Sequence, residues 1–317
     1  MKQRRWLKIS IALIIVLIVI DIVAGVFFYN LAIQRGQKDF LNDNADLEVS
    51  AEAMNTFTKG GWRQWVREQD FEELEVTSFD DLKLQGYLLE AEKPTNKLVI
   101  MAHGYLGNGS QMGLYGQYYY EELGYHFFTA DARGHGSSEG DYYGFGWHDR
   151  LDYLKWIDLL INKLGPDTEI VLHGLSMGAA TVLMTSGEEL PENVKVVVAD
   201  SPYTSVKDLF SYQITRMFHL PPFPVLDTTS LVSKIRAGYS FTEATALEQV
   251  KQVDLPILYI HGDADTFVPT EMTTELYENT PNAEMVTFEN ANHGEAFAIS
   301  EEKYIEVLTT FLDKHFD

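Results

Sequence analysis

Ser176 stands between two glycines in Gly174-Leu175-Ser176-Met177-Gly178, directly after the run Glu169–His173 and directly before Ala179–Met184. A G-x-S-x-G segment between a strand pattern and a helix pattern predicts a nucleophile elbow, a turn too sharp for side chains at its glycine positions. The serine hydroxyl is then held at the carboxyl edge of a sheet. The helix behind it aims its amino end at developing negative charge. Serine is a weak nucleophile at neutral pH, so a base and an orienting acid must come from farther along the chain. In this arrangement they follow in the order acid, then histidine.

His219, His293 and His315 are the candidates for the base. His219 precedes the acid candidates, and His315 falls on a terminal helix where exposure is the default. His293, in the loop Glu289–Phe297 between the last strand and the last helix, is the residue placed to act as general base and then general acid. Asp263 and Asp265 follow the strand pattern Pro256–His261. Asp265 lies far enough past the strand to turn back towards His293, whereas Asp263 is read as bonding its own backbone in the turn. The oxyanion hole is expected from two backbone N–H groups. One is that of Met177, and the other is that of Tyr105 in the loop His103–Ser110, with Leu106 second. His103 is read as a structural residue of that loop.

These residues need elements to position them. Eight short β-rich runs begin at Phe71, Leu84, Lys97, Tyr125, Glu169, Lys195, Pro256 and Glu284. The first two flank Asp80-Asp81 and read as a hairpin; helical patterns separate the later ones, which implies crossovers and a parallel sheet. The clearest helix runs from Trp147 to Leu164, with Trp147, Leu151, Leu154, Ile157, Ile161 and Leu164 at spacings of three and four, and stops at Gly165-Pro166. The six-residue run Tyr115–Tyr120 reads as a packing surface. Residues 203–250 interrupt the alternation and read as a small cap; its Phe210, Met217, Phe218, Leu220 and Phe223 either wall a pocket or pack the cap on the sheet. Two of them facing the serine would favour an acyl or aryl ester over a peptide.

The amino end is a separate unit. Lys2, Arg4, Arg5 and Lys8 precede an apolar stretch from Ile9 to Tyr29 broken only by Asp21. Its length matches the ~20 residues that cross a ~30 Å hydrocarbon core. Asp21 costs roughly 2.5–3.5 kcal/mol at a helix centre, which the many Ile, Leu and Val residues offset. The basic cluster predicts a cytoplasmic amino end and an extracytoplasmic domain on a single-pass cell-membrane protein, with secretion after signal cleavage as the alternative. The expected organisation is therefore 1–29 basic end and anchor, 30–70 juxtamembrane connector, and 71–317 catalytic domain. In the connector, Trp62 and Trp65 are expected to pack on the main domain.

Composition narrows the partners. The net charge is −23, and residues 30–317 carry 20 basic against 46 acidic side chains. Such a surface repels polyphosphate, so no nucleic-acid partner is expected. With no cysteine there is no disulfide, cysteine nucleophile or thiolate metal site. Gly134, Gly136 and Gly140 are spaced one residue too long for a dinucleotide loop. His135, His173 and His261 each precede a glycine at a strand end without a carboxylate-histidine helix motif, so neither metal nor cofactor is expected.

Together "AHGYLGN", "DARGHGSSEG", "HGLSMGAA", "HGDADTFVP" and "NHGEAF" resemble the α/β-hydrolase superfamily over residues 71–317, and within it the serine-aminopeptidase-like, monoacylglycerol-lipase-like and BEM46-like branch. The resemblance implies an eight-stranded, mostly parallel sheet flanked by helices with a small helical cap, here preceded by one transmembrane helix. It also implies attack by Ser176, an acyl-enzyme, hydrolysis by water activated by His293, and an Arg133 tied to a carboxylate. The expected protein is a serine hydrolase for small-molecule carboxylic esters, held in the membrane through residues 9–29. A peptidase or amidase, acyl transfer to an acceptor other than water, and a non-catalytic binding protein remain open.

Overall fold

The computed structural model describes residues 2–41 and 45–316. Met1 of the basic end, residues 42–44 of the connector and Asp317 of the catalytic domain lie outside the described residues. Eight strands form one sheet: β1 (Glu72–Thr77), β2 (Lys83–Leu89), β3 (Lys97–Ala102), β4 (His126–Ala130), β5 (Glu169–Leu175), β6 (Val194–Asp200), β7 (Ile257–Gly262) and β8 (Ala283–Phe288). Their spatial order is β1-β2-β4-β3-β5-β6-β7-β8. The hairpin pairs β1 with β2, β2 is antiparallel to β4, and all the remaining pairs are parallel. Each of the eight β-rich runs is a strand.

The helices are α1 (Lys2–Phe28), α2 (Ala51–Lys59), α3 (Trp62–Glu68), α4 (Gly113–Glu121), α5 (Asp149–Leu164), α6 (Met177–Ser186), α7 (Val206–Phe218), α8 (Val225–Arg236), α9 (Ala246–Val250), α10 (Thr270–Glu278), α11 (Ala296–Ile299) and α12 (Glu301–His315). Both sheet faces are covered, as crossover connections require. Leu98, Ile100 and Leu172 enter one core with Trp156 and Leu183; Val99, Met101 and Val171 enter the other with Tyr115, Tyr119, Phe311 and the two tryptophans, Trp62 and Trp65. Each such side chain contributes roughly 1.5–3 kcal/mol by leaving water.

Helix α5 has the expected end but a different buried face. Its fully buried stripe is Asp149, Asp152, Tyr153, Trp156, Ile157 and Leu160, while Leu151, Leu154, Ile161 and Leu164 are half-buried. Pairing is the reason: the Asp152 carboxylate holds the buried Arg133 guanidinium with two 2.7 Å bonds, and the Tyr153 hydroxyl donates to the Met101 carbonyl. A pattern of aliphatic positions does not register polar groups buried by partners. Arg133 also reaches Asp80 in the β1–β2 turn, so one guanidinium joins the hairpin, the loop after β4 and α5.

Helix α1 and the turn that follows it, Gln3–Ile33, are long and apolar enough to cross a membrane; the helix is exposed up to Ile20 and partly covered from Asp21 onward. A single wide turn, Tyr29–Ile33, carries the chain onto the domain, where Tyr29 and Ile33 are buried. Arg35 then donates to the carbonyls of Gly136, Ser138 and Gly140 in the loop after β4.

Candidate active site

Strand β5 delivers Ser176 to the carboxyl edge of the sheet, and α6 begins at the next residue. Ser176 sits at φ 55°, ψ −115°, a backbone region that L-residues avoid. Its N–H donates to the Asp200 carbonyl at the end of β6, which helps to hold the turn. The flanking glycines are required by space. A Cβ on Gly174 would stand 2.2 Å from the Gly178 carbonyl oxygen, and one on Gly178 would stand 2.0 Å from that of Ala102.

Three separate loops bring the remaining polar groups to the serine. His293 Nε2 is 2.8 Å from Ser176 Oγ, and His293 Nδ1 is 2.7 Å from Asp265 Oδ2. The other carboxylate oxygen of Asp265 accepts from the N–H groups of Phe267 and Val268, which fixes its plane. Asp265 is buried; burial raises its pKa, but the positive charge of His293 and the hydrogen bonds from both histidines outweigh that and hold it well below the ordinary carboxylate range. For His293, burial acts downward, and the adjacent Asp265 charge more than reverses it, so the imidazole titrates above its ordinary value. Asp263 instead accepts from the Asn290 N–H, a loop-closing bond. His315 is largely buried beside Glu284, away from the serine.

The expected oxyanion donors lie in the same place. Tyr105 and Met177 line the pocket over Ser176, and the loop after β3 passes beside the serine, a Cβ on Gly104 standing 3.5 Å from Ser176 Cβ. The Leu106 N–H is engaged by His135 Nε2 at 3.3 Å. His103 accepts the Ala132 N–H and contacts its neighbour's carbonyl, tying the loops after β3 and β4 together. His173, buried between the hydroxyls of Tyr119 and Tyr304, is pushed down to about 3 by burial and stays neutral.

Two features had little signal in the sequence. His261 Nε2 lies 3.0 Å from the Asp265 oxygen that His293 also touches, and 2.9 Å from the Val268 carbonyl. A carbonyl only accepts, which assigns the proton to His261 Nε2. Its one trace in the sequence is its place four residues before Asp265. The second feature is the amino-terminal share of the pocket wall. The pocket over Ser176 is lined by Phe210, Met217 and Phe218 of α7, and also by Phe28, Leu31 and Phe40 from the amino-terminal segment. Leu220 and Phe223 lie outside the lining and are exposed. A chain begun at residue 30 would lack Phe28 from this wall and Tyr29 from the core.

The amino-terminal segment also braces the histidine loop. Buried Glu295 accepts the N–H groups of Ser50 and Asn292, and the Asn292 amide donates to the carbonyls of Asp46 and Glu48.

A parallel sheet with a serine turn at its carboxyl edge, followed in chain order by Asp265 and His293, defines an α/β hydrolase. The chain belongs to the prolyl oligopeptidase family, whose sequence model matches residues 112–317. It is similar to the Bacillus subtilis protein YqkD, itself uncharacterized, with 29% identity over 77% of this chain and 82% of that protein. It is 30% identical to the lysophosphatidylserine lipase ABHD12 of Danio rerio over 49% of this chain and 40% of that one. Among solved structures it resembles the esterase Pf2001 of Pyrococcus furiosus, with a TM-score of 0.62 and 23% identity, covering 80% of this chain and 94% of that chain.

Proposed function

We propose that the protein is a membrane-anchored serine hydrolase that cleaves carboxylic esters of apolar acyl groups. The observation that carries this reading is the hydrogen-bonded series Ser176 Oγ–His293 Nε2–Asp265 Oδ2 opening on an apolar pocket. His293 takes the hydroxyl proton as Ser176 attacks the ester carbonyl, and Asp265 stabilises the imidazolium that forms. The N–H groups of Met177 and Tyr105 receive the charge on the carbonyl oxygen. His293 then protonates the departing alkoxide, leaving an acyl-Ser176, and deprotonates the water that releases the acid.

An ester is favoured over a peptide with a free amino end because no carboxylate lines the pocket among the described residues. Its polar side chains there are Tyr105, Ser176, Tyr203, Gln213 and Thr229. The similarity to a lysophosphatidylserine lipase and to an esterase points the same way. Residues 9–29 would hold the chain in the membrane, with the basic end cytoplasmic and the catalytic domain outside. Asp21, the one charge in that stretch, has a partner in the Thr228 hydroxyl at 2.5 Å.

Fluorophosphonate labelling of the full chain beside Ser176→Ala tests the nucleophile, and turnover of p-nitrophenyl esters against aminoacyl amides tests the substrate class. Labelling lost in the variant, with ester turnover dominant, is the expected result. Equal labelling of both proteins would overturn the nucleophile assignment, and faster amide turnover would favour the peptidase.

A further inference from the structure

Helix α8 packs along the outer end of α1. The Thr228 hydroxyl meets Asp21, a Cβ on Gly25 would come within 2.6 Å of Thr228 Cγ2, and Arg236 donates to Asn30 Oδ1. The two helices therefore run side by side in the same direction, Thr228 level with Asp21 to Gly25 and Arg236 level with Asn30. From Ile9, a helical rise of ~30 Å ends near Phe28, so the Thr228 level falls within the outer part of the span and the Arg236–Asn30 level just past its end.

On this pair several large apolar side chains stand outward, beside the exposed charges Asp227, Lys234 and Arg236 of α8. Ile22, Val23 and Phe27 of α1 are exposed, and so are Leu231 (59%) and Ile235 (74%) of α8, with Phe223 (75%) and Leu220 (39%) just before it. An apolar surface of this extent, continuous with a membrane-spanning run, marks a lipid contact. Asp227 interrupts it, in the first turn of α8, where helix N–H groups favour a carboxylate. Lys234 turns aside to the Gly238 carbonyl and Glu243.

The pocket shares its walls with this surface. Phe28 at the end of α1 meets Phe218 at the end of α7 edge to face, with ring centroids 5.1 Å apart, and both rings line the pocket while remaining partly exposed. Leu226 and Thr229 of α8 line it as well. We infer that the cap face formed by Leu220, Phe223, Leu231 and Ile235 is seated in the bilayer that α1 crosses. By the same inference, Ser176 receives esters of long acyl chains drawn laterally from that bilayer between Phe28 and Phe218. The substrate part of this inference rests on the ester-hydrolase reading; the seating of the cap does not.

The absence of cysteine makes the test direct. Full-length Phe223→Cys, Leu231→Cys and Ile235→Cys proteins carrying a bimane label are placed in phosphatidylcholine vesicles, with Asp167→Cys on an exposed loop as control. Lipids brominated on their acyl chains should quench the first three and spare the control; equal quenching at all four, or none, would overturn the seating. In the same vesicles, Phe223→Asp should lower hydrolysis of a long-chain monoacyl ester at least tenfold and leave turnover of soluble p-nitrophenyl butyrate unchanged. A parallel loss on both esters, or an unchanged rate in vesicles, would overturn the lateral route. Failure of wild-type protein on both esters, with Ser176 unlabelled, would overturn the ester reading and the supply route together, while quenching would still decide the seating.

Discussion

His261 and His293 share one carboxylate oxygen: their ring nitrogens approach Asp265 Oδ2 to 3.0 and 2.7 Å. One histidine faces the serine; the other is fully buried and held at its far nitrogen by the Thr273 hydroxyl. A donor that partly neutralises Asp265 limits how strongly that carboxylate stabilises the charged form of His293. On the proposed mechanism, His261 is a positioning residue that also tunes the base.

Replacing His261 by Leu should lower kcat/KM about tenfold, the order expected for a hydrogen bond to a charged group. The acid limb of the pH profile should also move to higher pH, because the less satisfied carboxylate holds a proton on His293 more strongly. His261→Gln, which retains a donor, should restore most of both. A lowered rate with an unmoved limb in both variants would mean that His261 serves packing alone.

The pH dependence of the wild type follows from the sign of the His293 shift. The base must be neutral to accept the serine proton, and Asp265 raises the pKa of His293 over the opposing effect of burial. The kcat/KM acid limb should therefore lie above about pH 6.5, the ordinary histidine value. Asp265→Asn should move it down and reduce kcat by roughly 10³–10⁴-fold. An asparagine amide would donate to His293 Nδ1 and leave the proton on Nε2, facing the serine. A pH–rate series on a soluble ester reads both effects.

Arg133 has a structural charge. Its guanidinium is fully buried against Asp152, Asp80 and the Tyr142 hydroxyl. Arg133→Met should cost about 3–5 kcal/mol, since it strands a buried carboxylate. Urea unfolding followed by tryptophan fluorescence should show the midpoint falling, with Arg133→Lys between the two. Fluorophosphonate labelling of the fraction that remains folded should be unchanged.

The sheet, and the residues that gather at its carboxyl edge, were legible in the sequence. Strand runs, the Gly165 stop and the glycines around Ser176 are local requirements of periodicity and steric fit, and each leaves a mark in consecutive residues. Chain order then distinguished His293 and Asp265 from their rivals, because loops at the carboxyl ends of successive parallel strands meet at one edge. What surrounds that edge depends on the folded chain. Phe28 and Phe218 are 190 positions apart in the sequence, and Asp21 and Thr228, where α1 and α8 meet, are 207 apart, so no local pattern encodes either pairing. The buried stripe of α5 and the second histidine on Asp265 belong to the same class: polar groups become buried only when a distant partner meets them, and a partner is a property of the fold.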